Sequence, residues 1–281
     1  MKRTRSIAFI LGALLLAATV LSGCGAAMIS SADRDAIARS ETYCAQIDEI
    51  IQWQLDGTEE YRKQRDVYKE TGDPRDEPED DYEEVVVKYD EFKLISAELS
   101  TLKARVAERG SGNSKAEAAL SRSANDYFAM LEAICGDMDA VFSYYFSMRE
   151  AMEPIGEFSA AENTTGYADY ALFAGQLSQV VSQSQTKLKK ISCPPYMADS
   201  HKAYLDRIDE FQSFCQDFSI AVQLSDPLRL ASCGYRMDRL TLMLDKCDDA
   251  LNDDFNLQFA RLSQRLQGSI AKLRGELLGY M

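Results

Sequence analysis

His201 is the only imidazole among the 281 residues, so chemistry that needs two histidines has no second one to use. Two-His zinc centres and HExxH metalloproteases are excluded, and a Ser-His or Cys-His triad is left with one position for its base. The heptad spacing around His201 turns its ring toward the interior of a helical bundle, where a neutral imidazole can ligate a metal or a haem iron. Bundle metal sites add a Glu three residues earlier, however, and residue 198 is Ala; no CxxCH is present for covalent haem. The expected role of His201 is therefore a core histidine bonded to a neighbouring Tyr or carboxylate. It remains the single metal candidate, and no cofactor is expected. Met130, Met138, Met148 and Met152 stand at helical spacing and read as core fillers, not as axial sulfur ligands.

Other patterns carry less. Ser184-Gln-Thr-Lys187 and Ser269-Ile-Ala-Lys272 match the SxxK of penicillin-binding enzymes, but no KTG element or presenting strands accompany them. Gly110-Ser-Gly112 is half of a dinucleotide fingerprint without a preceding strand, so it reads as a turn. Eight carboxylates lie between Asp73 and Glu84, enough for a loose Ca²⁺ site or a basic partner. They lack EF-hand order, and a solvated hairpin tip is the plainer expectation. Phe142, Tyr144, Tyr145 and Phe146 nearly encircle one helix. Either that helix is covered on several sides, the favoured reading, or part of the girdle binds something apolar.

The first 24 residues are the most specific stretch. Lys2, Arg3 and Arg5 precede an uncharged apolar run from Ile7 to Leu21, 15 residues long and short of the roughly 20 that span a bilayer. The run ends in Leu21-Ser22-Gly23-Cys24, which resembles at every position the lipobox of bacterial lipoproteins. The resemblance implies that Cys24 is diacylated and becomes the first residue, with Leu21, Ser22 and Gly23 read by the signal peptidase. It also implies an extracytoplasmic, lipid-anchored chain. With Gly at position 25 the expected site is the outer membrane of a double-membrane bacterium, or the outer leaflet of the plasma membrane in a single-membrane one. Cleavage would take 31 basic residues to 28 against 45 acids, near −17. Nucleic acid and anionic headgroups are then repelled overall.

Besides Cys24 there are six cysteines: Cys44, Cys135, Cys193, Cys215, Cys233 and Cys247. An even number in an oxidising compartment allows three disulfides in 15 connectivities, and no CxxC spacing suggests a redox or zinc centre. Folding a hairpin about Leu224 sets Cys215 and Cys233 opposite one another, so a Cys215 to Cys233 disulfide is expected. No pairing follows for the other four.

The elements that must position these residues are helical almost throughout, since no run alternates with period 2. A first helix carries Ile37, Cys44, Ile47, Ile51, Leu55, Tyr61 and Tyr68 to about Gly72. A second spans about 82–109, and a Ser114 to Glu117 capping box opens a third at 115, which is expected to end at Pro154. Its heptads run from Leu120 to Met152. A fourth, with Phe173, Leu177, Val180, Leu188 and Ile191, reaches about Ser192; a fifth repeats Met197, His201, Tyr204, Ile208, Phe211, Cys215, Phe218 and Val222. Asp226-Pro227 opens the last segment, whose seam slips near 252–254, as a stutter or a break.

The expectation is an all-α, elongated antiparallel bundle of six to seven helices, as one body or as two three-helix halves. Residues 1–23 form the signal, 24–30 a tether of ~20 Å at most, 31–152 an N-terminal half, 153–165 a polar linker and 166–281 a C-terminal half. The function expected is a non-enzymatic binding or adaptor protein that holds an envelope protein partner close to the membrane. The alternative is a sensory bundle that binds a metal, haem or apolar ligand. An enzyme would need a carboxylate pair in a cleft, which spacing alone does not pick out among 45 acids.

Overall fold

A computed structural model describes residues 31–78, 81–108, 115–156, 158 and 167–278. The protein is all-α. Six α-helices occur among the described residues: α1 (Ser31–Thr71), α2 (Tyr82–Glu108), α3 (Lys115–Gly156), α4 (Tyr167–Leu188), α5 (Ala198–Gln223) and α6 (Pro227–Leu278). Short 3₁₀ turns at Pro74–Asp76 and Pro195–Met197 join them, and no strand is present among those residues. Residues 1–24, where the signal and lipobox are expected, lie outside the described residues, and no described helix is long and apolar enough to cross a membrane.

The chain divides into two compact units, but not into sequential halves. One comprises residues 1–139 with 258–281, the other 140–257. Both boundaries fall inside helices, α3 and α6, so each unit holds four helical segments and not the expected three. At 42 and 52 residues, α3 and α6 each give a segment to both units, whereas α1, at 41 residues, stays within the first, so length alone does not decide the division. The described residues of the expected 153–165 linker, 153–156 and 158, fall within the second unit, and the others lie outside the described residues.

In the first unit the helices alternate in direction. Glu41 and Asp48 of α1 meet Arg274 and Ser263 of α6, and Met130 and Asp137 of α3 meet Ser269 and Arg265 of α6. The enclosed side chains are Ile47, Ile51, Val85, Phe92, Leu99, Tyr127, Phe128, Leu131, Ile134, Met138, Phe259, Leu262 and Leu266. Gly72, with φ +63°, ends α1 by donating to the Tyr68 carbonyl at 2.8 Å. Beyond Ile51 the second half of α1 has no buried residue; Leu55 is half-buried and Tyr61 is exposed.

The second unit is built the same way from the end of α3, α4, α5 and the start of α6. All eight seam positions of α5 from Met197 to Val222 are buried. On α4 the buried row is Ala174, Leu177, Val181, Ser184 and Leu188, while Phe173 and Val180 are only half-buried. α4 stops at Leu188, four residues short of Ser192. α3 continues past Pro154 to Gly156. Proline has no N–H to give the Glu150 carbonyl, and Lys187 Nζ donates to that oxygen instead, at 3.1 Å. α6 runs unbroken through 252–254. Its seam passes from Cys247 to Leu251 to Phe255 to Phe259 in steps of four, which is a stutter and not a break.

The α5–α6 hairpin corrects the disulfide expectation. Cys215 and Cys233 are buried free thiols, as are Cys44, Cys135 and Cys247, and Cys193 is also free. Contacts across the hairpin join Asp217 to Arg236, Tyr204 to Asp248 and Ser200 to Asp254. The pivot is therefore near 226, because the turn takes three residues, Leu224 to Asp226, with Ser225 at φ 48°. Cys215 stands level with Met237, about four residues or ~6 Å along the axis from Cys233. Asp226 closes the turn by accepting from the Leu228 and Arg229 amides at 3.0 and 3.1 Å, with Pro227 at the first helical position.

Candidate functional site

His201 sits in the second unit on the buried face of α5, 8% exposed. Its Nδ1 lies 2.9 Å from the Tyr144 hydroxyl, the core histidine–tyrosine bond expected from its place on the seam. Tyr144 also bonds the Cys193 thiol, while Ser200 donates to Asp254 at 2.5 Å beside them. Burial raises both the phenol and the Cys193 thiol above their ordinary values and lowers His201. The cluster is thus held in its neutral forms, the opposite of what a thiolate nucleophile requires. Among the described residues no three His, Cys, Asp or Glu side chains converge as a metal site.

A stability change follows from the lowered His201 pKa. The unfolded chain takes up this proton near pH 6.5 and the folded chain only at lower pH. The stabilisation is therefore complete above about pH 6.5 and is lost as pH falls through the folded value. Chemical denaturation of wild type and His201→Gln from pH 7.5 downward should show a decline in the first, beginning in this range, that is reduced in the second.

The other candidates do not assemble a site. Ser184 is fully buried with no hydrogen-bond partner for its hydroxyl, and Lys187 is turned to Glu150. Ser269 Oγ donates to the Arg265 carbonyl at 2.8 Å, and Lys272 pairs with Glu276. Neither SxxK lysine therefore serves its serine. Asp73 is clamped by Arg75, which holds its carboxyl below the usual range, and Thr71 donates to Asp76 at 2.8 Å; residues 79–80 of the acidic tract lie outside the described ones. Phe142 and Tyr144 of the aromatic girdle are buried and Tyr145 and Phe146 half-buried, with Tyr145 edge-on to Phe255. Burial raises the remaining thiols too, Cys44 and Cys215 each to about 12.

Two places that single motifs do not reveal stand out instead. The first is a cavity of about 260 Å³ in the first unit, between α2 and α3. Phe92, Leu99, Phe128 and Cys135 are its buried floor. Lys93, Ser96, Ser100 and Lys103 form the α2 wall; Glu132, Gly136 and Asp139 form the α3 wall. Lys103 pairs with Glu132 across one end. At the other, Tyr89 donates to Asp139 at 2.7 Å, and Lys93 sits 2.6 Å from Asp90 and 4.5 Å from the Tyr89 ring centre. Ser96 bonds the Cys135 thiol. A Cβ on Gly136 would meet nothing within 4 Å, so no close approach demands this glycine, which costs a helix about 1 kcal/mol relative to Ala. The spacing of 93, 96, 100 and 103 is one helix face and could have flagged this wall.

The second is a stripe on α6. Leu228, Tyr235 and Leu242, seven residues apart, are 82%, 78% and 54% exposed. This row runs beside the inward Cys233, Leu240, Cys247 seam, so α6 carries a second heptad. Arg239 and Lys246 are exposed beside it and have no ion-pair partner among the described residues. Ile220 of α5 and Leu224 of the turn are also exposed apolar residues. No protein-family model, no curated protein and no solved structure matches the chain.

Proposed function

We propose that this protein is a lipid-anchored, extracytoplasmic adaptor that works by binding and not by catalysis. Its anchor is Cys24, and its docking face is the exposed α6 stripe. The observation that carries the reading is the second heptad on α6: large apolar side chains at a seven-residue repeat, left uncovered, are what a helix presents to another helix. Arg239 and Lys246 border that stripe on one side and Asp238 and Asp245 on the other. The partner that fits is an amphipathic helix of an envelope protein whose apolar row is bordered by carboxylates on one side and by basic residues on the other. Of the two faces suggested by the sequence, Phe142 and Tyr144 of the aromatic girdle are buried, and Asp73 and Asp76 of the acidic tip are bonded by Arg75 and Thr71.

Leu228→Ser, Tyr235→Ser and Leu242→Ser combined test this directly. All three side chains are exposed, so each change alters stability by only about 0.5 kcal/mol or less, and circular dichroism and the melting temperature should match wild type. Native electrophoresis of gentle membrane extracts should show a complex of wild type that the triple variant loses. Equal migration of the two would refute the assignment of this face.

A further inference from the structure

We propose that the α2–α3 cavity of the first unit binds a free α-amino acid with an apolar side chain. The inference stands apart from the docking face on α6 and would hold if that face had no partner. Three observations define the ligand. The cavity floor, Phe92, Leu99 and Phe128, is apolar and includes two aromatic rings. Its polar groups are segregated by wall, with ammonium and hydroxyl donors on α2 and carboxylates on α3. The volume of about 260 Å³ lies just under the roughly 300–1,000 Å³ that drug-sized ligands fill, which suits a small metabolite.

The end closed by Lys103 and Glu132 sets the head of the ligand. These two side chains touch across the groove, so a positive and a negative group stand at one level with Ser100 one turn from Lys103. An α-amino acid carries its carboxylate and ammonium on a single carbon and matches that juxtaposition. Its carboxylate accepts from Lys103 and Ser100 on α2. Its ammonium donates to Glu132, whose Oε2 is engaged by Lys103 and whose Oε1 remains for a second donor. The side chain then lies along the floor toward Gly136, where the missing Cβ leaves the groove open. An amine alone would engage only Glu132, and an acid alone only Lys103 and Ser100, so each makes about half of the contacts that an amino acid makes.

The test uses full-length protein in detergent, titrated with L-phenylalanine, L-leucine, phenethylamine and 3-phenylpropionate by calorimetry and ligand-observed NMR. Saturable binding of both amino acids is expected, with each single-charge analogue of phenylalanine weaker by about tenfold or more. Gly136→Met should abolish binding without lowering the melting temperature, because a methionine fills open space in a helix. Lys103→Met, which removes the cationic partner of the ligand's carboxylate, should bring L-phenylalanine down to the affinity that phenethylamine has for the same variant. The proposal is overturned by any of three results: no saturation by either amino acid, equal binding of phenylalanine and its analogues, or a folded Gly136→Met that binds like wild type.

Discussion

Phe211→Ala is expected to destabilise the second unit by about 3–5 kcal/mol, the range for truncating a buried phenylalanine. Phe211 is 3% exposed on the α5 seam and begins a run of rings. Its centroid lies 5.9 Å from that of Phe214, Phe214 stacks on Phe218 at 5.8 Å, and Phe218 meets Phe173 edge-on at 5.9 Å. The substitution removes both the transfer free energy of the ring and its contacts, and the neighbouring rings cannot collapse into the space without losing their own geometry. A folded domain is stable by only about 5–15 kcal/mol, so the melting temperature should fall by roughly 10 °C or more. Tyr235→Ala on the same hairpin is the contrast. Its ring is 78% exposed, and urea denaturation should place it within about 0.5 kcal/mol of wild type. If the two variants were equally damaging, the division between core rings and docking rings made here would fail.

The second large effect concerns the anchor. The native chain should sediment with membranes and need detergent for release. Residues 25–281 exported behind a cleavable signal without a lipobox should be found in the soluble fraction. The physical reason is additive: each acyl methylene buried in the bilayer contributes about 0.8 kcal/mol, and two chains hold a protein where one is marginal. Without the lipid, a chain near −17 after removal of Lys2, Arg3 and Arg5 has no attraction to anionic headgroups. Intact mass should assign Cys24 as the first residue of the membrane form, carrying a diacylglyceryl group. A membrane-bound form of residues 25–281, or a native chain that washes off in buffer, would count against the anchor.

Helical periodicity made much of the fold legible, and the exceptions have identifiable causes. The α5 row from Met197 to Val222 reads inward from spacing alone because every member is large and apolar or, at His201, bonded by Tyr144. On α4 the buried row passes through Ala174 and Ser184, a small and a polar residue that carry little periodic signal, so the large apolar residues alone point to Val180, one position from the buried Val181. Pro154 predicts the end of α3 because a proline ordinarily orphans a carbonyl. Lys187, 37 residues away in sequence, satisfies it. The cysteine pairing failed on register: a two-residue shift of the hairpin pivot moves facing positions by four, which separates Cys215 from Cys233. The division of the molecule was hidden for another reason, since α3 and α6 each contribute to both units and no linker composition marks the boundaries.

The candidate sites were less legible. His201 drew attention as the lone imidazole, and its surroundings explain it as a buried neutral group. The α6 stripe is hidden in the sequence because the helix carries two heptads at different phases, which only burial separates. The cavity depends on two helices meeting in a definite register, with Lys103 against Glu132 and Tyr89 against Asp139, which spacing within either helix does not supply.

The central claim, that the protein acts by presenting α6 to a partner at the membrane, is tested most directly by photocrosslinking in intact cells. A photoreactive amino acid replaces Tyr235 in one strain and Lys202, exposed on α5, in another. The account predicts one discrete adduct from position 235, none from 202, and loss of the adduct when Leu228 and Leu242 are both changed to Ser. Equal adducts from the two positions, or none from position 235 in the membrane-anchored chain, would contradict it.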